Sequence, residues 1–212
     1  LSNMTRLVLT NAIYFKGAWA NQFEEKYTQD GSFTLADGSS KTVPFMHASF
    51  TISALVSEKI QAIRLPYEGG TYAMAAIMPS ADFAGFEQQL TAADLEQILS
   101  ALQSSSAMVD LSMPKFQAES SLGLAEILAG LGMQDAFDNT NADFSGMTGK
   151  PDLMIGSVLH QATIDVNEEG TEAAAATAVV MNLTSMPGQS YTIQLDKPFI
   201  YVIYETTTNT IV

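Results

Sequence analysis

Apolar and polar residues in the first part of the chain follow the short-period pattern of β-strands. Residues 6–15 are apolar on both faces, which predicts an interior strand. Short strands are also predicted at 32–35 and 41–46, after Asp-Gly turn signals. The segments 60–67 and 71–79 predict a strand pair. The first part of the chain is therefore expected to be mostly β-sheet.

Helical spacing appears farther along. Thr91 to Asp94 resembles an N-terminal cap, and the apolar residues after it recur at helical spacing. A second helix is predicted to end at Gly132. The apolar positions of the two helices are Leu95, Ile98, Leu99 and Leu102, then Leu122, Leu124, Ile127, Leu128 and Leu131.

Strand patterns flank these helices. They occur at 107–116, 153–166, 191–195 and 199–204, and residues 134–152 are predicted to be a loop. Strands, helices and strands follow one another without the βαβ alternation of a parallel sheet. This order predicts the α+β class.

The composition narrows the classes of function. The 212 residues include 9 basic and 23 acidic side chains, a net charge of −14. This charge disfavours nucleic acid and anionic membrane surfaces, and no apolar stretch approaches the roughly 18 residues of a membrane span. Cysteine is absent, which excludes disulfides, a thiol nucleophile and a cysteine zinc site. We find no EF-hand, phosphate-binding or paired-acid motif, and therefore predict neither a metal nor a cofactor.

Both ends of the sequence lead us to expect a piece of a longer protein. The chain begins at Leu1 without an initiator Met or a signal peptide, and an apolar run follows almost at once. It ends at Val212, where a further strand is expected to begin. Any targeting segment would then lie outside the chain.

Residues 173–195 contain no charged side chain, which is unusual for a surface segment of so acidic a chain. Alanines 173–176 favour a helix, although Gly170 precedes them and Thr177 follows. A flexible linker would be richer in Gly, Ser and charge. The third interpretation is a loop that can become a strand, because small uncharged side chains enter a closed space without burying an unpaired charge.

Several motifs, in order along the whole chain, resemble the C-terminal part of a serpin. They are LVLTNAIYFKGAW (7–19) with Phe23, LPY (65–67), MPKF (113–116), LGMQDAF with ADFSGM, VLHQATIDVNEEGTEAA, and Lys197-Pro198-Phe199. The resemblance implies an α+β serpin fold with three sheets (A, B and C), helices and an exposed reactive-centre loop. Residues 1–212 would be the C-terminal portion of a single serpin domain, with the loop at about 168–190.

The start of this loop, the hinge, matches the pattern of inhibitory serpins. Its residues are Glu168, Glu169, Gly170, Thr171, Glu172, Ala173, Ala174, Ala175, Ala176 and Thr177. The resemblance implies a protease inhibitor, not an enzyme, that acts as a suicide substrate. A target protease attacks the loop and forms an acyl-enzyme, and the cleaved loop then inserts into sheet A as a new central strand.

The family's usual register, counted from Glu168, places the reactive bond between Thr184 and Ser185. Leu183 and Met186 are alternatives, because the stretch from Thr184 to Lys197 is a few residues longer than in familiar members. A small Thr184 suits an elastase-like or subtilisin-like serine protease. Leu183 or Met186 would suit a chymotrypsin-like protease or a papain-like cysteine protease. Trypsin-like targets are disfavoured because Lys and Arg are absent between Glu172 and Lys197.

The resemblance also gives roles to three residues before the hinge. Asn11 and His160 match the shutter, which lies beneath the opening of sheet A. Trp19 matches the breach, at the top of that sheet, where insertion begins. Without the resemblance, a lone His or Trp would most often be an ordinary core residue, and His47 receives no role.

Two alternatives remain. A non-inhibitory serpin, a carrier or chaperone, has a loop that does not insert, but its hinge usually carries charged or bulky residues. A β-rich hydrolase or sugar-binding domain has thin support, since no nucleophile–base–acid set is visible and Trp19 is the one tryptophan.

For partners, we expect the target protease and the N-terminal part of the serpin. The expected location is extracellular, at the cell surface or in the periplasm. Asn182 begins a glycosylation sequon. A glycan there would obstruct the loop, which favours a bacterial source.

Overall fold

The computed structural model of the chain describes residues 7–171 and 189–212. Its strands are β1 (Leu7–Tyr14), β2 (Gly17–Ala18), β3 (Gln29–Thr34), β4 (Ser40–Val56), β5 (Ile60–Pro66), β6 (Tyr72–Pro79), β7 (Ala107–Pro114), β8 (Phe116–Gly123), β9 (Ile155–Val166), β10 (Gly170–Thr171), β11 (Ser190–Gln194) and β12 (Ile200–Glu205). Its helices are α1 (Phe83–Gln89), α2 (Ala92–Gln103), α3 (Ala125–Gly130) and α4 (Ser145–Thr148), with 3-10 turns at Glu25–Tyr27 and Asp135–Phe137. This mixture of helices and sheets confirms the predicted α+β class.

The chain divides into two compact units. The first comprises Leu1–Phe15 and Gln117–Ile164, and the second comprises Lys16–Phe116 and Asp165–Val212. In the first unit β1 and β9 pair in parallel, with Asn11 opposite His160, and β8 also pairs with β9. Helices α3 and α4 also belong to this unit.

The second unit contains a seven-stranded sheet in the order β11-β7-β4-β5-β6-β12, with β3 paired to β4. All its pairings are antiparallel except the parallel pair β11–β7. The 17-residue strand β4 pairs with β7 over Phe45–Ile52 and with β5 over Ser53–Val56. One long strand therefore joins both halves of the sheet.

The core of the second unit lies where α2 packs on β4 and β5. Ala73 and Ala75 of β6 are fully buried in this core, and Leu99 and Leu102 of α2 are 1% and 0% exposed. The buried cluster consists of Ile60, Ala62, Ala73, Ala75, Ile77, Leu99, Leu102 and Tyr204. This packing holds β5, and hence the turn that follows it, in a fixed position.

One expectation of the sequence pattern stays a prediction, and one is wrong in detail. Among the described residues β1 pairs with β9 alone, and its Leu9, Ile13 and Tyr14 are 40%, 48% and 53% exposed, so its predicted interior position stays a prediction. Apolar and β-branched side chains favour a strand whatever covers it, so they predicted the strand but not its neighbours. Leu122 belongs to β8 and not to the second helix, which begins only at Ala125.

The caps of both predicted helices are confirmed. Thr91 and Asp94 form a capping box at the start of α2, in which the Thr91 side chain accepts from the Asp94 amide and the Asp94 carboxylate accepts from the Thr91 amide. Gly132 ends the α3 segment with φ +109°, and the Met133 amide donates to the Leu128 carbonyl. The short helix α1, which begins after an Asp82 cap, was not predicted from the sequence.

Replacing Thr91 with Ala removes the capping box and leaves amides at the start of α2 without acceptors. We expect this change to lower the free energy of unfolding by about 1 kcal/mol, measured as a lower urea midpoint. The matched control is Ser100→Ala, which removes an exposed hydroxyl from the interior of the same helix. An equal loss in both variants would contradict a role for the cap.

Candidate functional site

The chain reverses direction directly after β9. The side-chain oxygen Oδ1 of Asn167 accepts hydrogen bonds from the amides of Glu169 (3.0 Å) and Gly170 (3.3 Å), and the Asn167 amide donates to the Gly170 carbonyl (2.9 Å). This Asx turn brings Thr171 antiparallel to Val166, and β10 then pairs antiparallel with β2 on its other side. The first described residues of the predicted loop therefore form sheet pairings.

Position 170 in this reversal requires a glycine. Its φ is +154°, and a Cβ atom there would collide with the carbonyl oxygen of Gly17 and would lie 2.7 Å from the Cα of Ala18. Backbone atoms cannot rotate away as a flexible side chain can. A larger residue would therefore separate β10 from β2.

Glu168 is a buried carboxylate within the same turn, 4% exposed. Lys115 Nζ lies 2.7 Å from its Oε2, Thr28 Oγ1 donates to its Oε1 at 2.6 Å, and the Phe23 amide donates to its carbonyl at 3.0 Å. Burial alone would raise the pKa of Glu168, but the hydrogen bonds from Lys115 and Thr28 outweigh burial and lower that pKa. Glu168 is therefore held ionised, and it anchors the start of the hinge.

Trp19 forms the other wall of the turn. Its side chain is 3% exposed, its Nε1 donates to the Asn167 carbonyl at 2.9 Å, and its amide donates to the Glu169 carbonyl at 2.9 Å. The indole stacks on the Tyr67 ring with 4.6 Å between centroids and 12° between planes. The Tyr67 hydroxyl, in turn, lies 2.7 Å from Oγ1 of the fully buried Thr171. The structure thus brings Trp19 against the described hinge residues.

The predicted shutter residues lie in the first unit. Asn11 of β1 and His160 of β9 are direct partners in the parallel pairing of these strands. The Asn11 side chain is exposed and the His160 side chain is half-buried. Their adjacency is compatible with the predicted polar pair, and their role remains a prediction.

Part of the predicted site falls outside the described residues. These positions are Glu172, Ala173, Ala174, Ala175, Ala176 and Thr177 of the hinge, and Leu183, Thr184, Ser185 and Met186 around the predicted bond. The helix, linker and inserting-loop interpretations of this segment stay open. Glu168, Glu169, Gly170 and Thr171 are the hinge residues within the described ranges.

Three further residues hold the turn and were not predicted from the sequence. Lys115, Thr28 and Tyr67 come from the end of β7, from the segment before β3 and from the turn after β5. The motifs MPKF and LPY, which contain Lys115 and Tyr67, could have marked two of them. No sequence signal distinguishes Thr28 from other threonines.

Ser112 and His47 are the described pair that most resembles a nucleophile and a base. Ser112 Oγ lies 2.6 Å from Nδ1 of His47, but Ser112 is only 8% exposed. Asp110, the nearby acid on β7, accepts a hydrogen bond from Ser49. Within residues 7–171 and 189–212, no three His or acidic side chains come together as metal ligands, and no helix is long and apolar enough to cross a membrane.

Comparison with known proteins identifies the family. The model of the family described as "Serpin (serine protease inhibitor)" matches residues 1–212. The leukocyte elastase inhibitor of the horse, Equus caballus, is 38% identical over 212 residues, which cover 96% of this chain and 55% of that protein. The chain therefore spans about half the length of this curated relative.

Solved structures agree on the fold. Tengpin, a thermophilic serpin in its native state, superposes on the whole chain with a TM-score of 0.79 and 28% identity, over 55% of its own length. Human thyroxine-binding globulin in complex with thyroxine gives a TM-score of 0.81 and 30% identity, over 55% of its length. Together with the family model, these likenesses confirm the fold predicted from the motifs, and we conclude that the chain belongs to the serpin family.

Proposed function

We propose that the protein that contains this chain inhibits a serine protease as a suicide substrate. The protease would attack the loop that follows Thr171 and form an acyl-enzyme. The cleaved loop would then insert between β1 and β9 before the ester is hydrolysed. The observation that carries this proposal is the hinge reversal, in which Glu168 is ion-paired and Thr171 already pairs with sheet strands.

The direction of the strands supports insertion. β1 and β9 are parallel neighbours, and Thr171 runs antiparallel to β9. A segment that continues this direction would be antiparallel to both strands and could form an antiparallel ladder on each side. Separation of β1 from β9 would open this place.

The energetics favour insertion once the loop is cut. About ten inserted residues with ladders on both sides, at roughly 1 kcal/mol net per hydrogen bond, would gain on the order of 10–20 kcal/mol. An ordinary domain has a total stability of about 5–15 kcal/mol. The uncut protein would therefore be metastable, and cleavage would allow the loop to insert and the protein to reach its more stable form.

The composition of the loop supports the same mechanism. Residues 173–184, the part of the loop before the predicted bond, carry no charge, so they can enter the sheet without burying an unpaired charge. With the bond between Thr184 and Ser185, the target would be elastase-like or subtilisin-like. Leu183 or Met186 at the bond would change the target to a chymotrypsin-like or papain-like protease.

The name of the horse relative, leukocyte elastase inhibitor, favours an elastase-like target. Such a target would place the protein outside the cytoplasm.

A non-inhibitory carrier is the second candidate. It is favoured by the likeness to thyroxine-binding globulin, whose structure contains thyroxine. The small, uncharged hinge residues after Glu172 favour the inhibitor.

The ion pair of Glu168 with Lys115 predicts that Lys115→Met lowers the stability of the protein strongly and in a pH-dependent way. The substitution leaves the buried Glu168 carboxylate without its counter-ion. Such a loss costs about 3–5 kcal/mol when both charges are fully buried, and we expect about 2–3 kcal/mol because the Lys115 side chain is 36% exposed. The lowered pKa of Glu168 means that its stabilising contribution is present above its ordinary value of 4.5 and is lost as the pH falls through the lowered value. The destabilisation, measured by urea unfolding, should therefore shrink between pH 7 and pH 3.

The matched control is Lys26→Met, the same substitution in the exposed ion pair of Lys26 with Glu24, whose side chains are 63% and 62% exposed. We expect no measurable change in the urea midpoint. If Lys115→Met were equally harmless, or if its effect were independent of pH, Glu168 would not be the anchor.

The proposed function predicts covalent trapping of a target protease. The whole protein should form SDS-stable complexes with elastase or subtilisin. Mass spectrometry should show that the released C-terminal peptide begins at Ser185. A first residue at Thr184 or Pro187 would assign the bond to Leu183 or Met186 instead. Trapping by chymotrypsin or papain would accompany such a shift.

Thr177→Arg provides the control for insertion, because it adds a charge to the hinge and leaves the residues around the bond unchanged. We expect cleavage without complex formation, whereas Thr177→Ser should still trap the protease. The inhibitor proposal is wrong if every protease cleaves the wild-type loop with neither a complex nor a gain in thermal stability. Equal trapping by Thr177→Arg would contradict insertion.

A further inference from the structure

We infer that Tyr67 is a positioning residue for loop insertion, because its hydroxyl holds Thr171 in the register from which the loop enters the sheet. This inference rests on the proposed function and adds to it a residue outside the loop. The proposal concerns one hydrogen bond, 2.7 Å between the Tyr67 hydroxyl and Thr171 Oγ1.

The Tyr67 side chain is held in place from several directions. Its ring stacks on Trp19, and its backbone forms an isolated β-bridge with the same residue. The Tyr67 amide donates to the Tyr72 carbonyl at 3.0 Å, and the Tyr67 carbonyl accepts from the Gly70 amide at 3.0 Å. Gly69 and Gly70, with φ of +81° and +72°, allow the tight turn that makes these bonds. These contacts therefore fix the position of the Tyr67 hydroxyl.

Thr171 is equally confined. It is 0% exposed and lies between Val166 of β9 and Gly17 of β2, with which it pairs. Tyr67 is 2% exposed, so water does not compete for the hydrogen bond between the two hydroxyls. Burial raises the pKa of Tyr67, while the bond to Thr171 lowers it by a smaller amount. The phenol consequently stays protonated throughout the physiological pH range.

A fixed Thr171 determines which faces the following residues present. Strand side chains alternate, so a slip by one residue would exchange the two faces of the inserting segment. Glu172 would then take the buried position opposite Tyr67, where its carboxylate would lose its hydration. The hydroxyl pair selects the register that places a small polar residue there. Because it holds this register, Tyr67 affects the competition between insertion of the loop and hydrolysis of the acyl-enzyme.

The test is Tyr67→Phe in the whole protein, which keeps the ring and removes only the hydroxyl. We expect the ratio of cleaved to trapped inhibitor to rise two- to tenfold. This ratio is obtained from the stoichiometry of inhibition, which is the number of inhibitor molecules consumed per protease trapped. The second-order rate constant of protease association should change less than twofold, because the residues that the protease reads are unchanged. Thr171→Val should behave like Tyr67→Phe, and Thr171→Ser, which keeps a hydroxyl, should retain wild-type partition.

Tyr204→Phe is the matched control. Tyr204 is also fully buried in the second unit, and within the described ranges its hydroxyl has no hydrogen-bond partner. Removal of this hydroxyl should leave the partition unchanged. The double variant Tyr67→Phe/Thr171→Val should match either single variant, since both remove the same bond.

Each outcome decides the matter. Unchanged partition in Tyr67→Phe, additive effects in the double variant, or an equal rise in Tyr204→Phe would overturn the role of Tyr67 while complexes of the wild type still form. If the wild type forms no complex with any protease, the proposed function fails first and this inference fails with it.

Discussion

A carboxylate withdrawn from water has to be paired, and Glu168 meets this requirement at the point where the chain leaves β9. Its partners, Lys115 and Thr28, come from distant parts of the chain, so the ion pair joins the start of the hinge to the large sheet. Gly170 then permits a backbone approach that any Cβ would prevent. Trp19 and Tyr67 complete the enclosure. The reversal is therefore held by charge, close backbone contact and aromatic stacking within a few residues.

This rigid reversal and the uncharged segment after it have complementary properties. In the proposed mechanism the anchor would hold the beginning of the loop, and the lack of charge in residues 173–184 would permit their burial. A suicide inhibitor needs both, because insertion must be faster than hydrolysis of the acyl-enzyme. A long uncharged loop without an anchor would enter the sheet in several registers, whereas a charged loop on the same anchor would be opposed by desolvation.

Local chemistry explains which parts of the structure could be predicted. The capping box of Thr91 and Asp94, the turn at Gly132 and the strand β6 follow from neighbouring residues, and the family motifs led to Trp19 and the hinge. Lys115 and Tyr67 lie 53 and 104 residues before their partners Glu168 and Thr171, so no local pattern connects them. The neighbours of β1 were also beyond prediction, since its apolar residues favour a strand in any position.

The central claim, that β1 and β9 separate to admit the loop, can be tested by joining the two strands covalently. Ala12 and Gln161 are register partners, and the chain contains no cysteine. Neighbouring strands lie about 4.8 Å apart, within the range of about 4.4–6.8 Å between Cα atoms that a disulfide spans. In the Ala12→Cys/Gln161→Cys protein we predict that oxidation converts inhibition into simple cleavage and that reduction restores SDS-stable complexes. Equal trapping by the oxidised and reduced forms would contradict the account.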